Sequence, residues 1–342
     1  MFAELFVSLQ LEIFINSKKP MIMRKLFLSF LLAILVPMMA EAEDMYAVYD
    51  DGAKTFTFYY DDESGDRNGE SYYIMPDESG EPEWYKADWK EKVAKVVFAS
   101  SFAKARPTNT SYWFSGFKNM TVIVGLEYLN TSKVTIMASM FSGCEALTTL
   151  NVSHFNTGNV TNMDGMFGGC KTLTTLNVSH FNTGKVTNMW GMFSSCSGLK
   201  SLDVSNFDMK KVENIRGMFT WCKGLTTIYC NDDWNTDDMI SSGMFENCIS
   251  LMGGSNTLYD SKKVDATMAH PDTKDNPGYF TCKEDKPEGD LTHDGKIDTA
   301  DVVWLVAIMI NNSSVSLEEG DLNHDGAVNV ADVVKLITMI KR

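Results

Sequence analysis

A period of 26 residues runs through the middle of this 342-residue chain. Five phenylalanines keep the period, and each is preceded by methionine and followed three residues later by cysteine. These pairs are Phe141 and Cys144, Phe167 and Cys170, Phe193 and Cys196, Phe219 and Cys222, and Phe245 and Cys248. Repetition at a fixed spacing of about 20–50 residues is typical of stacked units that bury their apolar sides only against their neighbours. The sequence therefore predicts a solenoid.

Within one unit the apolar spacing changes once. Leu176 and Val178 alternate as in a strand with one buried face, and Leu173 precedes them in a turn. The next four apolar residues recur at three or four residues, which is helical spacing: Val186, Met189, Met192 and Phe193. We therefore expect a strand followed by a short helical turn that begins near Thr187 or Asn188.

The repeated unit resembles a known family. Its Leu-x-x-Leu-x-Val segment is similar to a leucine-rich repeat, and the full Met-Phe-x-x-Cys-x-x-Leu-x-x-Leu-x-Val-Ser-x-Phe pattern is similar to the repeat of BspA-like bacterial surface proteins. The resemblance covers about residues 110 to 250 and implies an α/β repeat solenoid, a parallel β-sheet with short helices. A weaker first copy has Phe117 in the place of the cysteine, and the last copy has Cys230 in the place of the valine, so we expect capping units at both ends.

Seven cysteines are present, and the repeat accounts for five of them. Because those five occupy one equivalent position, a ladder of buried free thiols is favoured over disulfides. Only Cys230 and Cys282 lie outside the ladder. A bond between these two stays open.

A twelve-residue acidic loop occurs twice near the C-terminus, and the second copy begins 31 residues after the first. Oxygen ligands at alternate positions, with Gly295 or Gly326 at the sharp turn, are what a calcium ion requires. The predicted ligands of two Ca²⁺ ions are Asp290, Thr292, Asp294, Lys296 through its carbonyl, Asp298 and Asp301, and Asp321, Asn323, Asp325, Ala327 through its carbonyl, Asn329 and Asp332.

The paired loops resemble a dockerin domain, a small all-α docking module with two EF-hand-like calcium loops. The resemblance rests on the 31-residue spacing and on Asp301 and Asp332, which end the loops where an EF-hand has Glu. It implies a protein partner, cohesin-like or other. Thr292 replaces the usual Asn, and the recognition positions are Thr299-Ala300 and Val330-Ala331, which differ from each other and make ordinary cohesin recognition doubtful.

The first 42 residues have the features of an export signal. Arg24 and Lys25 precede an apolar run at residues 26–36 that is too short to span a bilayer, and a small-x-small cleavage pattern follows at residues 40–42. Met21 or Met23 is the expected start. We expect export to the medium or the bacterial cell surface, with no membrane span after removal of the signal.

Charge and residue pattern disfavour two function classes. A formal net charge of −15 does not suit nucleic-acid binding, which needs clustered Lys and Arg. Four of the five histidines recur with a repeat or loop, His270 stands alone, and no carboxylate pair stands out, so we expect no enzyme. One aromatic group has two readings, a sugar-stacking platform or the closed end of the repeat core: Trp84, Tyr85, Trp89 and Trp113.

We expect six segments along the chain. They are residues 1–42, an upstream extension and secretory signal peptide; 43–110, a β-rich N-terminal cap; 111–250, BspA-like leucine-rich repeats; 251–282, a C-terminal cap; 283–289, a linker; and 290–342, the dockerin-like domain. The favoured hypothesis is a non-catalytic adhesion protein that displays its repeats to a host or matrix protein and docks through its calcium module. The alternative is a non-catalytic or scaffold-bound component of a polysaccharide-degrading, cellulosome-like assembly.

Overall fold

The computed structural model describes residues 44–74, 80–234, 239–283, 289, 291–292, 297–311, 320–323 and 327–340. The signal segment, most of the linker and four predicted ligands lie outside these ranges: Asp290, Asp294, Lys296 and Asp325. Within the described ranges, no helix has the length and apolar character that a membrane crossing requires.

The N-terminal region is β-rich, as the sequence predicts. Its five strands are β1 (Asp44–Asp50), β2 (Thr55–Asp61), β3 (Glu70–Tyr73), β4 (Lys95–Phe98) and β5 (Val122–Val124), in the spatial order β3-β1-β2-β4-β5. Strand β1 pairs antiparallel with β2 and β3, whereas β2 with β4 and β4 with β5 pair in parallel. Strand pairing in this sheet is thus antiparallel at the β3 edge and parallel at the β5 edge, where the stacked units begin.

The N-terminal aromatic group forms core and not a sugar-stacking platform. Trp84, Trp89 and Trp113 are all buried. The Trp84 indole N–H donates to the Trp113 carbonyl at 2.8 Å, and the Trp89 indole N–H donates to the Tyr72 hydroxyl at 2.8 Å. Indoles that are covered and hydrogen-bonded inside the protein have no free face for a glycan, so the core interpretation is confirmed for the three tryptophans. Tyr85, the fourth member of the group, is only half-buried, and its ring lies 4.9 Å from that of Tyr112.

A single column of parallel backbone contacts joins each unit to the next. It runs through Asn109, Ile136, Asn162, Asn188, Asn214 and Ile240. The first step is 27 residues, matching the extra residue of the weak first copy, and the others are 26. The rings of successive period phenylalanines, from Phe141 to Phe245, stack in the same way, with centroids 5.7–5.8 Å apart and planes within 9° of parallel. Equivalent residues of neighbouring units therefore lie against one another.

The segment 189–196 is not the short helix that the sequence predicts. Its N–H groups alternate between two directions: Met189, Gly191, Phe193 and Ser195 donate to carbonyls of the next unit, while Met192, Ser194 and Cys196 donate three residues back. Gly191 and Ser195 have φ of 57° and 61°, and an α-helix cannot contain such left-handed residues. The prediction was wrong because the apolar spacing of this ribbon of turns resembles helical spacing.

On the leucine face of the described residues, strand pairing between one repeat unit and the next is limited to the C-terminal units. Strands β6 (Ser201–Asp203), β7 (Thr227–Tyr229) and β8 (Phe280–Thr281) form a parallel sheet in that order. The Thr226 N–H donates to the Lys200 carbonyl at 2.9 Å, but the equivalent bond from Thr174 to Thr148 is 3.5 Å long. The earlier layers lie too far apart here for a continuous ladder, so the sheet is shorter than expected.

The ladder of buried free thiols is confirmed. All five period cysteines are free and fully buried. Each thiol donates to a phenylalanine carbonyl of the preceding layer over 2.9–3.3 Å: Cys144 to Phe114, Cys170 to Phe141, Cys196 to Phe167, Cys222 to Phe193, and Cys248 to Phe219. Burial raises the pKa of these thiols, so they stay protonated and act as small donors inside the core.

The remaining helices are few and short. Among the described residues the 3-10 helices are Glu83–Lys86, Lys90–Lys92, Ser100–Lys104, Leu126–Tyr128 and Ala266–Met268. The described part of the C-terminal module, residues 290–342, includes the α-helices α1 (Thr299–Asn311) and α2 (Val330–Ile340). The buried apolar residues form two separate clusters, one between residues 45 and 280 and one between 291 and 336, so the C-terminal module has its own core.

Candidate metal centre and docking surface

Each acidic loop leads into one helix of the C-terminal module and caps its first turn. The Asp298 carboxylate accepts a hydrogen bond from the Ala300 N–H at 2.7 Å before α1. The Asn329 side-chain oxygen accepts from the Ala331 N–H at 2.8 Å before α2. Position 9 of each loop is therefore also a helix N-cap, whose side-chain oxygen satisfies a backbone donor that the helix leaves unpaired. The loop geometry and the helix starts are fixed together.

The last loop position lies at the third residue of each helix, and its carboxylate is fully buried. One oxygen of Asp301 accepts the N–H of Asp298 at 2.8 Å, and the corresponding bond from Asn329 to Asp332 is 2.7 Å. This is the reciprocal half of a capping box, in which the third residue reaches back to the N-cap. Because Asp301 and Asp332 are both covered from solvent, each needs every hydrogen bond that the loop supplies.

The other Asp301 oxygen holds the beginning of the first loop. It accepts hydrogen bonds from the Leu291 N–H at 2.8 Å, the Thr292 N–H at 2.9 Å and the Thr292 hydroxyl at 3.0 Å. Burial alone would raise the pKa of Asp301, but the bonds from Asp298, Thr292 and Leu291 outweigh it and hold the pKa below its ordinary value. The carboxylate is therefore ionised in the folded loop, as a calcium ligand must be.

The second loop repeats this arrangement with fewer donors. One Asp332 oxygen accepts the Asn323 N–H at 3.1 Å, which corresponds to the Thr292 contact in the first loop. In both loops the backbone N–H groups at positions 3 and 9 therefore bond to the carboxylate at position 12, which closes the loop onto the start of its helix. Of the predicted ligands, these lie within the described residues: Thr292, Asp298, Asp301, Asp321, Asn323, Ala327, Asn329 and Asp332.

The donor set fits a hard cation. The predicted ligand side chains in the described residues offer carboxylate, amide and hydroxyl oxygens, with no sulfur or imidazole nitrogen among them, and this is the chemistry that Ca²⁺ prefers. Asp301 already uses one oxygen for three donors, so its second oxygen, with one donor, is the one that retains a lone pair for an ion. Within the described residues no three His, Cys, Asp or Glu side chains group as a metal site by themselves.

A small core with two-fold sequence symmetry lies between the helices. Its four buried leucines form two pairs spaced 31 residues apart: Leu291 with Leu322, and Leu305 with Leu336. Partly buried Ile297 and Val328 occupy the same position in the two loops and pack against this core. Each loop carries its core leucine beside its ligand residues, so ion binding and burial of the core are coupled.

One apolar stripe of the module is exposed, and the sequence alone indicated only its first residue, Val330. Val330, Val334 and Ile337 lie on one side of α2 at the i, i+4, i+7 spacing, and Val330 and Val334 are 67% and 56% exposed. On α1 the equivalent of Val334 is Val303, also exposed, whereas Thr299 replaces Val330. The sequence feature that indicates the stripe is the set of apolar residues in α2 other than the core residue Leu336.

A second exposed apolar feature lies on the repeats. Trp190 and Trp221 are each about half exposed, at 49% and 47%, in the turn segments of consecutive units. The Lys223 ammonium lies 4.7 Å from the centroid of the Trp221 ring. Comparison of the repeat units identifies these two residues in the sequence, because each replaces a polar residue of the preceding unit. Trp190 corresponds to Asp164, and Trp221 corresponds to Ser195.

Two family models match separate parts of the chain. The model described as "Mycoplasma protein of unknown function, DUF285" matches residues 108–231 and 146–259. The dockerin type I domain model matches residues 288–341. Neither match is to an enzyme domain. No curated protein matches the sequence.

Two solved structures are similar to the chain at low identity. A leucine-rich repeat protein from Bacteroides ovatus is 15% identical, with 62% of this chain and 69% of that chain covered and a TM-score of 0.22. A leucine-rich repeat protein from Eubacterium ventriosum is 14% identical, with 61% and 82% covered and a TM-score of 0.22. The repeated Phe and Cys pattern thus lies in the part of the chain that matches the DUF285 family, and the twin loops lie in the part that matches the dockerin type I domain, so the chain is similar to BspA-like leucine-rich repeat proteins and carries a C-terminal dockerin type I match.

Proposed function

We propose that this chain is a non-catalytic interaction protein, exported to the medium or the bacterial cell surface. Its repeats, residues 111–250, form a solenoid of 26-residue units between caps at 43–110 and 251–282. After a linker at 283–289, the module at 290–342 folds around two Ca²⁺ ions and docks the chain to a protein partner. The observation that carries the proposal is the pair of buried carboxylates, Asp301 and Asp332, each tied to the loop before its helix.

The separation of the two cores supports separate roles for the repeats, which display a surface, and for the C-terminal module, which docks. Clusters that share no residue allow the repeats to stay folded while the C-terminal module responds to calcium. Calcium brings together loop residues that carry like charges, so binding free energy adds directly to the stability of the module. Docking would then depend on calcium, and display by the repeats would not.

The exposed stripe of α2 supports docking through this helix. Val330, Val334 and Ile337 form an apolar strip of the kind that buries against a partner. Thr299 makes the start of α1 polar at the equivalent place, so the two helices present different surfaces. A partner that reads an apolar strip therefore binds through α2.

The repeats supply a second candidate surface. Trp190, Trp221 and Arg216 belong to the residue types that contribute most to protein interfaces, and they lie on consecutive units. A host or matrix protein is the class of partner that we propose for this surface.

A cellulosome-like role is the second candidate, and the dockerin type I match favours it. In that role the partner is a cohesin and the chain is a non-catalytic member of a polysaccharide-degrading assembly. Binding of the full chain in calcium to immobilised cohesins, compared with binding to surface proteins of the organism that encodes it, separates the two roles. Hydrolysis of any polysaccharide in a panel by the purified chain would contradict both.

We expect Val334→Asp to weaken docking at least about tenfold, because it places a charge in the centre of an apolar interface. The matched control is Val303→Asp, the same change at the equivalent exposed position of α1, which should bind as the wild type does. Affinity for the captured partner is measured in calcium by surface plasmon resonance. A loss with Val303→Asp but not with Val334→Asp would show that α1 is the docking helix.

A further inference from the structure

Backbone and side-chain hydrogen bonds hold the junction between strand β8 and the linker. Strand β8 pairs with β7, and beyond the paired residues the Cys230 N–H donates to the Thr281 carbonyl at 3.1 Å. One residue further, the Asn231 side-chain amide takes the place of a strand backbone. Its oxygen accepts the Lys283 N–H at 2.7 Å, and its nitrogen donates to the Lys283 carbonyl at 3.2 Å. Cys282 is therefore held on both sides, directly beside Cys230.

The register brings the two cysteines opposite each other. Ile228 pairs with Phe280, and both are buried. Because side chains alternate along a strand, continuing this register by two residues sets Cys230 opposite Cys282, with Cys282 just past the end of β8 and exposed to solvent. Neighbouring strands lie about 4.8 Å apart, within the range of about 4.4–6.8 Å between Cα atoms that a disulfide spans.

The other thiols are occupied elsewhere. Each ladder cysteine donates to a carbonyl of the preceding layer and is sealed in the core. Cys282 is exposed, whereas Cys230 is buried. Burial raises the pKa of Cys230 to about 12, so the accessible Cys282 is the thiol that reacts first.

We propose that Cys230 and Cys282 form a disulfide that fastens β8 to β7. The oxidant is a small-molecule disulfide such as oxidised glutathione. The Cys282 thiolate attacks one of its sulfurs, breaks its S–S bond and releases one thiol. Cys230 then loses its proton, attacks the Cys282 sulfur of the mixed disulfide and expels the second thiol. Two protein thiols have given up two electrons and two protons, and the oxidant has become two thiols.

The bond lies next to the linker, through which a pulling force on the C-terminal module would reach the repeats. Lys283 is the first residue of the linker, and its ammonium also pairs with Asp203 on β6 at 2.5 Å. Hydrogen bonds and one half-exposed ion pair resist peeling of β8 only weakly. A covalent link at Cys282 passes the load directly to β7, inside the stacked layers.

Thiol counting on the full chain tests the bond. After equilibration with oxidised and reduced glutathione, denaturation and alkylation should label five of the seven cysteines, and all seven after reduction. Peptide mapping should join Cys230 to Cys282. The oxidised repeats should melt about 5–10 °C higher than the reduced ones, because a disulfide restricts the unfolded chain and so lowers its entropy.

The exposed position supplies a control that folds. Cys282→Ser should leave all six remaining thiols labelled and should melt at the same temperature with or without oxidant. Seven labelled cysteines in the oxidised wild type, a bond mapped to a ladder cysteine, or a redox-dependent melting shift that persists in Cys282→Ser would each overturn the proposal.

Discussion

Asp332→Ala is expected to remove calcium binding from the second loop and, with it, most of the calcium-dependent stability of the C-terminal module. In the wild type, calcium at about a thousand times its dissociation constant stabilises the bound form by about 4 kcal/mol per site. Asp332 is fully buried, and its oxygens hold both Asn323 and Asn329 in place. Its loss removes a ligand and also releases the loop that carries Leu322 into the core.

Thermal unfolding in calcium and in chelator, followed by calorimetric titration, measures this effect. The wild type should bind two ions and Asp332→Ala one. The control Asp275→Ala removes one exposed acidic residue outside the loops and should leave both the stoichiometry and the calcium shift unchanged. Two bound ions in Asp332→Ala, or equal melting of the wild type in calcium and chelator, would show that the ligand assignment is wrong.

Phe193→Ala is expected to destabilise the repeats by about 3–5 kcal/mol, the usual cost of truncating a buried phenylalanine. The ring is fully buried and stacks 5.8 Å from Phe167 and 5.7 Å from Phe219, so its loss opens a cavity between layers on both sides. Because each unit is stable only through its neighbours, the damage should spread along the stack.

Urea unfolding of the repeat transition measures that cost. The control is Trp190→Ala, a large aromatic truncation three residues away at a half-exposed site, which should change stability by less than about 1 kcal/mol. A small effect of Phe193→Ala, or similar effects of the two substitutions, would contradict a core built from stacked phenylalanines.

The sequence predicts contacts that the period dictates. Phe167 and Phe193 are 26 residues apart in the sequence and stack in the fold, because identical units place identical residues in register. The buried thiols follow for the same reason. The cap aromatics were left with two readings, since sequence alone does not show that the Trp84 indole reaches the Trp113 carbonyl.

The sequence does not reveal how the turn segments close. Met189, Met192 and Phe193 have helical spacing, but helical spacing also suits a ribbon of turns whose alternate N–H groups bond to the next layer. The deciding feature is the positive φ of Ser195, and serine carries no strong preference for that conformation. Backbone bonding between units, a tertiary effect, outweighs the local pattern.

At the candidate site, the sequence predicts the types and spacing of the ligand residues but not the hydrogen bonds that they make. The pattern of Asp301 and Asp332 indicates calcium, but only the structure places each at the third residue of a helix, where it also caps the chain. The exposure of Val334 likewise depends on which face of α2 the leucine core covers.

Hydrogen exchange of the full chain with and without calcium tests the central claim most directly. Our account predicts that calcium increases protection of the amides in residues 297–311 and 327–340 by at least about a hundredfold, since exchange from the calcium-stabilised module requires opening against the binding free energy. The amides of residues 189–196, of which alternate ones bond to the next repeat unit, should exchange at the same rate in both conditions. Unchanged protection in α1 and α2, or an equal response in the repeats, would contradict a separate calcium-folded docking module.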